Sequence, residues 1–210
     1  MYITDRDSTI LEILAFKVRL LSFQQISKTF WNLTKSGTSN AQKRLKKLVS
    51  SNLLNHYLMN TRPLIPIKEP IFSWNVDDPE PDFESIALKT QSRWTLPPQI
   101  TPVYTISKKA SNLLGGIGGK LEYPLHITHD LHVSSVYLHL LLNDKDTADC
   151  WIGEVHLPKK GFKFKAPDAM INYKNDRGNI FIEFCEKYNA QRIRDFHNDC
   201  VVNKIGYQLW

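Results

Sequence analysis

The sequence predicts an α+β protein of two domains, and the order of its segments carries that prediction. In the first half, helical stretches with good start signals give way to strands. In the second half, the order is helix, three strands, helix, strand. A chain of 210 residues can bury a sizeable core, and 42% apolar with 23% charged side chains is ordinary for a folded domain. No apolar run is long enough for a membrane span and no signal-peptide pattern opens the chain, so a cytoplasmic protein without a membrane partner is expected. Cys150, Cys185 and Cys200 are odd in number and widely spaced, which suits reduced thiols better than a disulfide framework or a zinc site.

Thr4 with Asp7 caps a first helix that runs to about Lys17, with Ile10, Ile13 and Leu14 inward. Ser22 with Gln25 opens a second helix through Trp31, burying Phe23, Ile26 and Phe30. The stretch "NLTKSGT" reads as a turn, and Ser39 with Gln42 starts a third helix. On that helix Ala41, Leu45, Leu48 and Val49 share one side, while Lys43, Arg44, Lys46 and Lys47 occupy the rest. "LLNHYLM" and "TPVYTIS" (residues 101–107) are strands, and a short helix "KKASNLLG" follows the second. Capped helices, the third of them basic, followed by strands give the order of a winged helix-turn-helix.

Between those strands lies an insertion at about 61–100 that holds seven of the eleven prolines. It also contains Ile71, Phe72, Trp74, Phe83, Ile86 and Trp94, and a helix is expected after Pro81 with Phe83, Ile86 and Ala87 inward. This lobe is expected to pack on the winged helix or on a second copy of the chain. "GGIGGKLEYP" reads as a hinge. A phosphate-cradling loop would need Lys-Ser/Thr and a following helix, whereas Lys120 precedes Leu121 and Pro124. The expected division is therefore 1–114 with the inserted lobe, 115–124 as hinge, and 125–210.

The net charge of +6 is not spread evenly. Residues 1–60 hold nine Lys/Arg against three acids, and from Ile13 to Lys68 there is no acid beside ten Lys/Arg. A solvated face normally mixes both signs, so this stretch implies a polyanionic partner, with double-stranded DNA the first choice. Lys43, Arg44, Lys46 and Lys47 suit phosphates, and Asn40, Gln42 and Arg44 suit base edges. Ser36, Thr38 and Ser39 are placed to donate to phosphate at the helix start. A homodimer is expected, because a second half-site makes one winged helix selective.

In the second half, "THDLHVSSVYLHLLL" reads as a helix with Leu131, Val136, Leu138 and Leu142 buried. "CWIGEVHL", "APDAMINY" and "NIFIEFCEKY" read as strands, "NAQRIRDFHNDCV" as a helix and "KIGYQLW" as a closing strand. Glu154, Asp168 and Glu183 fall on the three central strands. A carboxylate inside "IFIEFC" is costly without a cation or donors, and carboxylates converging from adjacent strands are a way to hold a divalent metal against a phosphodiester. Pro167-Asp168 and Glu183 resemble the signature of PD-(D/E)xK nucleases in type and spacing. Asp168, Glu183 and Glu154 are thus the candidate metal ligands, with Mg²⁺ the cofactor if the site is active and none otherwise. Where that signature has lysine, this chain has Cys185, which cannot supply a positive charge. Lys187 is the candidate catalytic replacement beside Asp168 and Glu183, being on the same face of an extended strand. Lys163 or Lys165 is an alternative source of that charge.

With those pieces in place, "PVYTISKKASNLLG", "HDLHV" and "PDAMI…IFIEF" together resemble the replication-relaxation family of plasmid and mobile-element proteins. The resemblance implies a winged-helix DNA binder joined to a PD-(D/E)xK-like sandwich, acting in replication, relaxation or mobilisation. The leading expectation is a sequence-specific DNA-binding accessory or regulatory protein whose nuclease-like domain is degenerate. A Mg²⁺-dependent endonuclease and an antitoxin-like repressor gripping a mobile-element protein partner are the alternatives.

Overall fold

The computed structural model describes residues 2–93, 96–117, 121, 126–158, 161–173 and 178–210. Its first elements are α1 (Asp5–Glu12), a π-helical turn (Ile13–Lys17), β1 (Leu21–Ser22), α2 (Phe23–Trp31), α3 (Lys35–Ser50) and β2 (Leu54–Thr61). There follow β3 (Phe72–Trp74), α4 (Phe83–Gln91), β4 (Gln99–Ile106), α5 (Lys108–Leu114), α6 (Ile127–Asn143) and α7 (Lys145–Asp149). The last are β5 (Trp151–Gly153), a 3-10 turn (Glu154–His156), β6 (Ala169–Asn172), β7 (Asn179–Glu183), α8 (Ala190–Asn203) and β8 (Gly206–Leu209). The chain is thus mixed α+β, in two compact units: Met1–Leu64 with Pro97–Leu138, and Ile65–Leu96 with His139–Trp210. Among the described residues no helix is long and apolar enough to cross a membrane.

In the first unit both expected capping boxes form, Thr4 with Asp7 on α1 and Ser22 with Gln25 on α2. Gln25 then does a second task, donating from Nε2 to the Leu131 carbonyl at 2.7 Å and to Ser135 Oγ at 2.9 Å. The sheet runs β1-β4-β2, all antiparallel, with β2 and β4 paired from Leu54 opposite Ile106 to Thr61 opposite Gln99. Leu20, Val103, Ile127 and Leu131 form a buried cluster, against which Tyr57 and Met59 of β2 pack. The alternation along β2 leaves His56, Leu58 and Asn60 exposed. Phe23 and Phe30, expected inside, are only half-buried.

The second unit is a five-stranded sheet in the order β3-β8-β7-β6-β5, parallel only between β7 and β8. One apolar cluster joins α4 and α8 to it: Phe83, Ile86 and Ala87 meet Ile193 and Phe196, with Phe181, Tyr207 and Leu209 from the strands. Here the expected division needs correction. The inserted segment falls in the second unit, Ile65–Leu96 with His139–Trp210: β3 extends the second sheet along β8 and α4 lies on α8. Nor does the second unit begin at the glycines. Ile127 and Leu131 of α6 are buried with Leu20 and Val103, which draws α6 as far as Leu138 into the first unit. Gly115 ends α5 in the left-handed region (φ 75), while Gly118, Gly119, Lys120 and residues 122–124 of the expected hinge lie outside the described residues. Leu142, expected inside, is exposed on the last turn of α6.

Trp74 ties the lobe to its sheet. Its ring stacks on Tyr207 at 5.6 Å and meets His197 edge-on at 4.8 Å, and its Nε1 donates to the Asp78 and Pro79 carbonyls at 3.2 Å. Trp74→Ala is expected to destabilise the second unit by about 3–5 kcal/mol in denaturant unfolding. A loss below about 1 kcal/mol, the scale of an ordinary substitution, contradicts this placement of the lobe.

Candidate functional site

The basic helix α3 owes its position to a tight turn. Asn32 takes a positive φ of 53, and Thr34 caps the helix by accepting from the Gly37 amide at 3.0 Å. Any Cβ on Gly37 would collide with the carbonyl oxygens of Trp31 and Asn32, so glycine is what lets α2 and α3 approach this closely. The expected start at Ser39 is therefore corrected to Lys35. Thr34 supplies the cap earlier, and the helix absorbs most of the predicted turn. Ser36 stays in the first turn, but Thr38 and Ser39 lie further in than a helix-end phosphate donor should.

Gly37, Ala41, Leu45 and Leu48 form the buried stripe of α3. Ser36, Ser39, Asn40, Gln42, Lys43, Lys46 and Lys47 are exposed, and Thr38 is half-buried. Arg44 behaves differently from the other cations. Its Nε donates to Asp7 Oδ1 at 2.9 Å, a second nitrogen bonds Asp7 Oδ2, and that same nitrogen reaches the Tyr2 carbonyl at 2.7 Å. Asp7 is fully buried. Burial alone would raise its pKa, but hydrogen bonds from Arg44 and Thr4 outweigh that and hold it below the usual carboxylate range. Arg44, expected on phosphates and base edges, is thus committed to α1. This removes it from the set of available cations.

Two concavities border α3. One of about 590 Å³ is lined by Thr4, Arg6, Asn32, Ser36 and Asn40 among others, with the exposed Arg6 held over the Trp31 ring at 4.5 Å. The other, about 380 Å³, is mostly apolar, lined by Phe23, Val49, His56, Leu58, Pro102 and Tyr104 with Gln42 and Lys46 beside them. Sequence reasoning missed Arg6, whose neighbours Asp5 and Asp7 make it read as part of a mixed-charge helix start.

The second unit brings Asp168 and Glu183 together at adjacent strands. Asp168 directly precedes β6, where its amide donates to the Ile182 carbonyl at 3.0 Å and its Oδ2 accepts from the Phe184 amide at 2.7 Å. Glu183 is the last residue of β7 and is fully buried. The cation between them is Lys165. Its Nζ bonds Glu183 Oε1, lies 3.4 Å from Asp168 Oδ1 and donates to the Tyr188 hydroxyl at 2.8 Å. Tyr188 in turn donates to Glu183 Oε1 and accepts from Arg192 at 3.2 Å, which matches one donor and two lone pairs on a phenol. The Asp199 carboxylate of α8 fixes this loop, accepting from the backbone amides of Lys163, Phe164 and Lys165 at 3.0, 2.9 and 3.4 Å.

The electrostatics follow from that cage. Burial would lower the Lys165 pKa, but Glu183 and Asp168 more than compensate and hold it above its ordinary value. Burial and then Glu183 push the Tyr188 phenol and the Cys185 thiol up, so both stay protonated at neutral pH. Cys185 is fully buried in the α4–α8 apolar cluster, which agrees with an inert thiol.

Two expectations about this site are corrected. Lys187 does not join the carboxylates: β7 ends at Glu183, strand alternation stops there, and Lys187 is exposed while Tyr188 turns inward. Glu154 does not lie on the strand either. β5 ends at Gly153, and Glu154 is exposed on the 3-10 turn, with its amide donating to the Asp168 carbonyl at 2.9 Å. Among the described residues no group of three or more His, Cys, Asp or Glu could hold a metal ion. The expected donor set of Asp168, Glu183 and Glu154 therefore does not come together, and Lys165 lies between the two carboxylates that do converge.

No family model, curated protein or solved structure matches the chain.

Arg44→Met leaves the buried Asp7 carboxylate without its guanidinium, and a loss of about 3 kcal/mol is expected in denaturant unfolding. The pH sign follows from Asp7, whose folded pKa lies below its unfolded value of about 3.9. Its contribution is present above about pH 4 and disappears as pH falls through the folded value. The wild-type stability should therefore drop with acid more steeply than that of the Asp7→Asn variant. Parallel acid profiles of the two proteins contradict this account.

Proposed function

We propose that the chain binds double-stranded DNA, reading it with α3. The observation that carries this reading is the row of exposed Lys43, Lys46 and Lys47 opposite the buried Ala41, Leu45 and Leu48, in a stretch with no acid from Ile13 to Lys68. The order α1, β1, α2, α3, β2, β4, with β1 and β2 flanking β4, supports a winged helix-turn-helix in which α3 is the recognition helix. Lys43, Lys46 and Lys47 contact phosphates, and Asn40 and Gln42 read base edges. Ser36 and Arg6 border the concavity beside the first turn of α3, where a backbone phosphate also fits. A second copy supplies the other half-site.

By the resemblance of its β4–α5, α6 and β6–β7 stretches, the protein serves replication, relaxation or mobilisation of a plasmid or other mobile element, with the second unit a PD-(D/E)xK-like sandwich. One other reading draws on one observation. The apolar groove beside Gln42 and Lys46 favours a repressor that grips a protein partner.

Fluorescence anisotropy with a duplex tests the leading reading. Affinity should fall steeply with NaCl, and replacing Lys43, Lys46 and Lys47 with glutamine should weaken binding and lower the log–log salt slope by roughly three. A triple variant whose affinity and slope match the wild type rules out α3 as the DNA contact.

A further inference from the structure

The cage around Lys165 has a consequence for the second unit that is separate from the DNA reading, which concerns the first. We infer that the Lys165 ammonium is the resident cation of the Asp168–Glu183 pair and that it excludes divalent metals from this site.

Three observations carry the inference. The Nζ sits against both carboxylates at once, bonded to Glu183 Oε1 and 3.4 Å from Asp168 Oδ1, which is where a cation bridging them belongs. The ammonium is also held there. Tyr188 offers its hydroxyl at 2.8 Å, and the Lys165 backbone belongs to the loop pinned by Asp199. The ligand count points the same way. Glu154 is exposed on its 3-10 turn, so a dication has two carboxylates and water to draw on and competes weakly with the tethered ammonium, with Asp168 Oδ2 already turned to the Phe184 amide at 2.7 Å.

A hard dication needs several oxygen ligands at short range. To gain them here it must displace the ammonium or sit beside it, and two cations at contact distance in a buried site repel strongly. Lysine has the advantage of its tether, because it needs no ion from solution and its three donors match the oxygens of Glu183, Asp168 and Tyr188. The carboxylate pair is then a structural clasp between β6, β7 and the loop before them, closed to metal-activated water. Removing the ammonium should open it: Lys165→Ala leaves the paired acids without their cation and creates a divalent-ion site.

The test is Mn²⁺ binding to the full-length protein, read by titration calorimetry, by the shift of the melting midpoint and by paramagnetic broadening of backbone amide signals. In the wild type, millimolar Mn²⁺ should leave the midpoint in place and should not selectively broaden Phe184 and Tyr188. Lys165→Ala should take up a single equivalent roughly tenfold or more tightly than the wild type and gain a Mn²⁺-dependent rise in midpoint, both lost on adding Asp168→Asn. Lys165→Gln, which keeps a donor but not the charge, is expected to behave as Lys165→Ala and serves if alanine prevents folding. Selective broadening of Phe184 and Tyr188 in the wild type overturns the inference without reference to any variant. So does a failure of the folded lysine variants to gain Mn²⁺.

Discussion

A buried carboxylate needs a counter-charge, and in each unit of this protein the chain provides one from within. In the first unit Asp7 is fully buried and takes the guanidinium of Arg44. In the second, Asp168 and Glu183 close around Lys165. Each pair joins segments distant in sequence, α1 to α3 in one case and the loop before β6 to the end of β7 in the other. Removing either cation strands a negative charge in a low-dielectric interior, which costs more than the intact pair contributes.

The same constraint sorts the basic residues by role. Arg44 and Lys165 look like ligand-binding cations in the sequence, yet both are bound to buried acids. Lys43, Lys46 and Lys47 lie on the exposed side of α3 and remain available to a polyanion. On the proposed DNA-binding reading the division suits a recognition helix, because an arginine anchored to α1 holds its orientation while neighbouring lysines adapt to a phosphate backbone. In the second unit the analogous anchoring turns a pair of acids from metal ligands into a clasp.

Much of the fold was legible because its signals are local. The capping boxes at Thr4–Asp7 and Ser22–Gln25 form as the spacing demands, and Ser107 and Gly115 bound α5. The i, i+4, i+7 spacing of Ala41, Leu45 and Leu48 gave the buried stripe of α3, and Phe83, Ile86 and Ala87 face inward from α4. What misled were long-range choices. Nothing in "FSW" says that its partner is a strand more than a hundred residues later, so the lobe's allegiance could not be read. Thr34 and Ser39 are both acceptable helix caps, and only the packing of Gly37 on the α2 end decides between them. At the carboxylates, Asp168 and Glu183 followed from the pattern and Glu154 did not, and of the lysines the sequence offers it is Lys165, not Lys187, that meets them. Lys187 depended on a strand continuing past Glu183, whereas Lys165 is delivered by a loop that Asp199 fixes from α8.

On the reading proposed above, the outward face of α3 meets duplex DNA while the charged centre of the second unit stays internal. Mapping backbone amide shifts on adding a short duplex at low salt addresses it most directly. The signals of Asn40, Gln42, Lys43, Lys46 and Lys47 are expected to move, while those of Glu183, Phe184 and Tyr188 stay in place. Shifts concentrated around Glu183 and Tyr188, or a spectrum unchanged by the duplex, contradict it.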